Sequence, residues 1–132
     1  MRYVPLIGRI LLCLLFLTSG LTFHFTQQAV QYAEAQGVPM ASLLVPLSGI
    51  LEIVGALSVI VGYRAKLGAW LLVVFLVPVT FMMHNFWAVA DPMQRQIQMM
   101  MFMKNLGMLG GVLLVAYWGA GPISLDERKA QQ

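Results

Sequence analysis

PLSGILEIVGALSVIVG, residues 46–62, is an apolar run with one carboxylate, Glu52, near its middle. A stretch of this length and hydrophobicity reads as most of a membrane span. An ionised carboxylate at the bilayer centre costs at least ~2.5 to 3.5 kcal/mol on insertion scales, so such an acid is neutral, paired, or turned toward protein or water. At helical spacing Glu52 shares a face with Ser48, Gly49, Gly55, Ala56 and Val59. Small residues on that face let a second helix approach closely. The stretch therefore predicts a helix that turns Glu52 inward, against other helices.

Those other helices are visible on either side. Apolar segments cover about residues 5–25, 41–62, 67–87 and 99–118, each near the ~20 residues that cross a ~30 Å hydrocarbon core. A chain that is 60% hydrophobic and only 10% charged lies outside the range of soluble domains. The fold class expected is all-α, an integral membrane four-helix bundle of antiparallel spans with a short interfacial helix after the first span. The net charge of +3 raises nucleic acid as a partner, but the basic residues flank the spans instead of forming a patch with interleaved aromatics, so no nucleic acid is expected. Cys13 is the single cysteine, which excludes an intramolecular disulfide and dithiol chemistry. Arg2 and Arg9 precede a leucine-rich run, as in a signal peptide, yet Thr18-Ser19-Gly20 is followed by Leu-Thr-Phe-His with no small-x-small cleavage site.

In the first span Arg9, Cys13, Phe16 and Gly20 fall on one face, with His24 near its far end. Two roles suit Arg9: its stem snorkels to the headgroups, or its guanidinium reaches inward to a carboxylate or an anionic ligand. Residues 26–40 are too polar to span and carry Gly37 and Pro39 as stop signals, which predicts a surface helix anchored at the interface by Tyr32, or a lid over the bundle. The four-residue link 63–66 makes spans two and three an antiparallel pair. Span three carries Pro78, which removes a backbone bond, and His84 beside an aromatic belt of Phe86 and Trp87. Residues 88–98 read as an exposed loop. The methionines at 99–101 and 103 read as lipid or helix contacts, since no cysteine or histidine joins them to make a soft-metal site. Gly107 and Gly111 extend the face of Lys104, and the matching depths of Lys104 and Glu52 predict an ion pair between them.

The resulting candidate buried polar or ligand site is Glu52, Lys104, His84, Asn105, Arg9, Ser48 and His24. No catalytic residue and no metal site is assigned. Arg2, Arg9, Arg64, Lys66, Arg128 and Lys129 fall on one side and only Arg95 and Lys104 on the other, so both termini are expected in the cytoplasm. Pro122 cannot continue the last helix, and Ser124 with Glu127 is spaced to cap a short turn after it.

Taken together, several features resemble the DoxX family over nearly the whole chain. They are Gly8-Arg9, Ser19-Gly20, Gln31-Tyr32 with Gly37-Val38-Pro39, Glu52 followed by Gly55, Gly62, His84, Phe102-Met103-Lys104-Asn105, Gly110-Gly111, and 121–126, Gly-Pro-Ile-Ser-Leu-Asp. The resemblance implies a four-helix protein of the bacterial inner membrane, while length and composition give a single membrane domain over 1–132, and the helix stop at Gly119–Pro122 with the charge distribution gives a cytoplasmic tail at 119–132. The resemblance also implies a link to quinone-linked sulfur or terminal oxidase systems, although most members of that family have no assigned reaction. In a frequent family pattern a lysine follows the Ser-Gly of span one, and Phe23 holds that place here.

Three functions fit these residues. The first is a small-molecule-binding or accessory membrane subunit, taking a lipid-like ligand or supporting a partner complex. The second is a quinone- or quinol-linked redox component, with His84 and Lys104 on the ring oxygens, Glu52 relaying protons, and electrons from a separate redox partner protein. The third is a proton-coupled transporter assembled as a homo-oligomer. No resident cofactor is expected; a quinone is the one admissible small molecule of that kind.

Overall fold

The computed structural model describes residues 1–132. Six α-helices follow in order: α1 (Val4–Thr22), α2 (Gln27–Ala35), α3 (Ala41–Val61), α4 (Ala65–Met83), α5 (Pro92–Trp118) and α6 (Leu125–Ala130), with a 3-10 turn at Phe86–Ala88. Four of them, α1, α3, α4 and α5, are long and apolar enough to cross a membrane. The protein is thus an all-α membrane helical bundle, as the hydropathy requires.

Each long helix packs along its neighbour in the order α1, α3, α4, α5, and α5 returns to α1 only over a short contact. The core is a seam of Cys13, Phe16, Ala56, Val59, Leu72, Leu76 and Val112. In α3 the buried residues are Ala41, Gly49, Glu52, Gly55, Ala56 and Val59, which is the inward face that 3.6-residue spacing assigned to Glu52. Glycines set the closest approach between α3 and α4. A Cβ on Gly55 would sit 2.9 Å from Leu72 Cδ2, and one on Gly68 would sit 2.6 Å from Ser58 Cβ.

Two element boundaries differ from the expectation. The fourth spanning helix starts at Pro92, not near residue 99, because Asp91 caps it by accepting a hydrogen bond from Gln94 N (3.0 Å) and Pro92 suits the first helical position. Most of the expected loop 88–98 is therefore helix. The first helix ends at Thr22, and the turn after it, not the helix itself, carries His24. The methionines at 99–101 and 103 are exposed on α5, consistent with lipid contact.

The end of the bundle that holds both termini is closed by the tail. Ser124 Oγ accepts from Glu127 N (3.1 Å), and Glu127 Oε2 accepts from Ile123 N (2.8 Å), so the capping turn read at 124–127 is formed. The Asp126 carboxylate accepts from Arg64 N (2.8 Å) and Ala65 N (2.9 Å). A residue of the tail thus satisfies the first amides of α4, where the helix dipole favours negative charge.

Candidate functional site

Arg9 belongs to that closed end. It is 3% exposed, and its guanidinium donates to the carbonyls of Val59 (3.3 Å), Ile60 (3.2 Å), Pro122 (3.3 Å) and Ile123 (2.7 Å). Its role is structural. Arg9 is buried and does not snorkel, and its donors go to backbone carbonyls instead of a carboxylate; its planar fork ties the C-terminal carbonyls of α3 to the tail. Gly62 is part of the same knot, since a Cβ there would lie 2.5 Å from Arg9 Nη1 and would also strike Ser124.

The other sequence candidates, Glu52, His24, Ser48, His84, Lys104 and Asn105, line one cavity of about 1160 Å³ toward the opposite end of the bundle. The walls are apolar residues of α3 and α4 such as Leu51, Leu76 and Val79, and α2 covers the far end with Ala29, Tyr32 and Ala33. Lid is thus the better description of α2. Its buried side is Ala29 and Ala33, and the Tyr32 hydroxyl donates to Met83 O (2.8 Å), fastening it to the end of α4.

Within the cavity the expected Glu52–Lys104 ion pair is absent: no carboxylate oxygen lies within 4.0 Å of the Lys104 ammonium. Lys104 Nζ instead rests 3.7 Å from Met101 Sδ on its own helix. The group beside Glu52 is His24, with Nδ1 at 3.1 Å from Oε2. That nitrogen also faces Ser19 O at 3.2 Å. Glu52 Oε2 is fully buried and has no partner in hydrogen-bonding geometry. Depth alone misled here, because it fixes position along a helix axis but not which neighbour stands across the gap. The turn after α1 folds His24 back against α3, and Gly49 makes room for it; a Cβ on Gly49 would stand 2.5 Å from His24 Cβ.

The remaining polar groups are spread around the wall. His84 Nδ1 lies 2.8 Å from Gln98 Oε1, joining the end of α4 to the first turns of α5. Ser48 Oγ donates to Val45 O (2.6 Å) on its own helix. Asn105 is buried and lines the cavity. Sequence reasoning missed two contributors. Ser19 lines the same cavity as Glu52, and its signal was a polar residue one turn inside the first span. Tyr32 was read as an interfacial anchor, because a tyrosine on a short polar helix gives no sign of a carbonyl waiting on another helix.

Comparison with known proteins places this architecture in a family. The DoxX family model matches residues 4–85, so the chain belongs to the DoxX family. It is 36% identical to inner membrane protein YqjF of Escherichia coli over 92% of this chain and 88% of that protein. It is 30% identical to inner membrane protein YphA of the same organism over 93% of this chain and 88% of that one. It is also 31% identical to a Surfeit locus protein 4 homolog of Schizosaccharomyces pombe, over 96% of this chain but only 38% of that longer protein. No solved structure matches the chain at a significant level.

Proposed function

We propose that this protein binds one small, largely apolar molecule in the cavity between α1, α3, α4 and α5, as a binding or accessory protein of the bacterial inner membrane with both termini cytoplasmic. One observation carries the reading: a cavity of about 1160 Å³ with mainly apolar walls ends on a buried carboxyl group whose Oε2 lacks a hydrogen-bonding partner. Cavities of roughly 300 to 1,000 Å³ with apolar walls and a few polar groups are the usual form of small-molecule sites. A buried polar atom without a partner costs about 1 to 3 kcal/mol, which a ligand group would recover. The inner-membrane location is supported by the names of the two Escherichia coli relatives, and the orientation by the basic residues gathered at the closed end.

Purification in a mild detergent followed by mass spectrometry of the intact protein tests this. A single adduct of defined mass is expected, displaced when Val79→Trp fills the cavity. Protein that carries only heterogeneous detergent and bulk lipid, unchanged by Val79→Trp, would refute the reading.

A quinone or quinol is the second reading, favoured by the 3.1 Å approach of His24 to Glu52. Two titratable groups in contact at the end of a cavity suit a ligand whose reduction moves protons with electrons. On this reading a separate partner protein carries the electrons, and the displaced adduct has the mass of a quinone.

A further inference from the structure

We infer that the cavity is loaded sideways from the bilayer, between the outer halves of α3 and α4, and that its ligand is a hydroxyl-headed single-chain amphiphile and not a carboxylic acid. This deepens the proposed binding function and rests on it.

The route follows from which residues of α3 and α4 are both exposed and cavity-lining. Near the tail they are sealed: Gly55 meets Leu72 and Gly68 meets Ser58 with no room for a Cβ. Further out, Leu47, Ile50 and Val54 of α3 and Val74, Pro78 and Met82 of α4 are exposed on the outside of the bundle and also line the cavity. A residue that does both marks a place where the cavity meets the bilayer; Leu15 of α1 and Met101 of α5 also do both, so the α1–α5 seam is the competing route, and the prolines favour α3–α4. Each helix carries a proline in this half, Pro46 in α3 and Pro78 in α4. Each proline lacks the amide that would bond one turn back, so both helices can bend where the mouth must widen. The water-facing end is shut by α2 through the Tyr32 hydroxyl. A molecule that reaches this mouth has first dissolved in the hydrocarbon layer, which selects a long apolar chain.

The headgroup follows from Glu52. A hydroxyl can donate to a carboxylate or accept from a carboxylic acid, so it satisfies Glu52 in either protonation state. An ionised carboxylate ligand would set like charge beside an ionised Glu52 in a medium of low dielectric, and the Lys104 ammonium that lines the same cavity lies beyond 4.0 Å of the Glu52 carboxylate, too far to pair with both at the Glu52 end. His24 Nδ1 is the one protein group beside Oε2, at 3.1 Å but outside hydrogen-bonding geometry, so a ligand hydroxyl competes there with the imidazole alone.

The probes are hexadecanol and hexadecanoic acid carrying a diazirine in the chain, applied to the protein in lipid nanodiscs. Saturable photolabelling of α3 and α4 by the alcohol is expected, competed by unlabelled hexadecanol. The alcohol should be favoured over the acid by about ten-fold, and Glu52→Leu should abolish that preference while labelling persists. Equal or better labelling by the acid overturns the headgroup assignment. Ile50→Trp with Val74→Trp, or the milder phenylalanine pair, narrows the mouth and should slow uptake and release together without changing saturation. Slowing by Leu15→Trp with Met101→Trp instead assigns entry to the short α1–α5 contact, and unaltered rates in both pairs remove a lateral mouth; either result overturns the route. Absence of saturable labelling in the parent protein fails the binding function itself, which separates the two levels.

Discussion

Glu52 and Arg9 are both ionisable residues within spanning helices, and they are handled in opposite ways. Arg9 has its donors matched by carbonyl oxygens at the end of α3 and in the tail, whereas Glu52 has His24 Nδ1 at 3.1 Å and an Oε2 without a hydrogen bond. Replacing Arg9 with methionine strands several buried acceptors at about 1 to 3 kcal/mol each, so a large fall in melting temperature in detergent is expected. Arg9→Lys should recover only part of it, because an ammonium lacks the planar fork. A thermal shift assay on both variants checks this, and equal stability of Arg9→Met and parent would refute the staple. For Glu52 the geometry calls for a double-mutant comparison. Glu52→Gln and His24→Ala should couple by more than about 0.5 kcal/mol, while Glu52→Gln and Lys104→Met should be additive within that margin, because only the first pair is in contact. Coupling confined to the lysine pair would contradict the observed arrangement.

At the level of elements, α2 is a short helix of low hydrophobicity whose order depends on what it covers. Its N-terminus is capped by Thr26 Oγ1, which accepts from Ala29 N (3.2 Å), but nine residues are too few for a helix to be stable alone. The packing of Ala29 and Ala33 and the Tyr32 bond to Met83 O hold it down. Tyr32→Phe should therefore raise hydrogen exchange across 27–35 by several-fold, in keeping with the ~1 kcal/mol of one such bond. Burial also raises the Tyr32 phenol above its ordinary value of 10.0. The closed lid favours the neutral phenol, so its contribution is complete below pH 10 and is lost as pH rises through the raised value. Exchange at 27–35 should then accelerate above pH 10 in the parent and show no such added step in Tyr32→Phe. Parallel pH profiles in the two proteins would exclude the tyrosine as the latch.

Across the whole molecule the two ends of the bundle have different physical characters. The end with both termini is knotted by Arg9, Gly62, Asp126 and Glu127, and the other end holds the cavity under a lid. Removal of 130–132 should leave stability unchanged, because the described tail contacts end earlier. Asp126→Ala should cost about 0.5 to 2 kcal/mol, as loss of a helix cap does elsewhere. Denaturation of the two variants in detergent distinguishes them, and a larger loss from the three-residue deletion would show that the knot is misassigned. Orientation is tested by labelling. A cysteine at Gln36 should react with an impermeant reagent from the periplasmic side and one at Lys129 should not, with the native Cys13 buried and silent; the reverse pattern would invert the topology.

Sequence alone determined the features that depend on local composition and period. Hydropathy set the spanning segments, because a bilayer admits only structures that satisfy their own backbone. The face shared with Gly49, Gly55 and Ala56 turned Glu52 inward, and Ser124 with Glu127 marked the last capping turn. The Asp91-Pro92 start of α5 was also written locally, although the polar residues after it read as loop. Tertiary structure decided everything that depends on what lies across a gap. Arg9 meets carbonyls from α3 and the tail, separated from it by 50 residues or more along the chain. His24, not Lys104, stands beside Glu52 because the turn after α1 folds back over Gly49. Helical period and depth fix where a residue sits on its own cylinder; the rotation and tilt of neighbouring cylinders decide which side chains touch, and those are set by packing summed over the whole bundle.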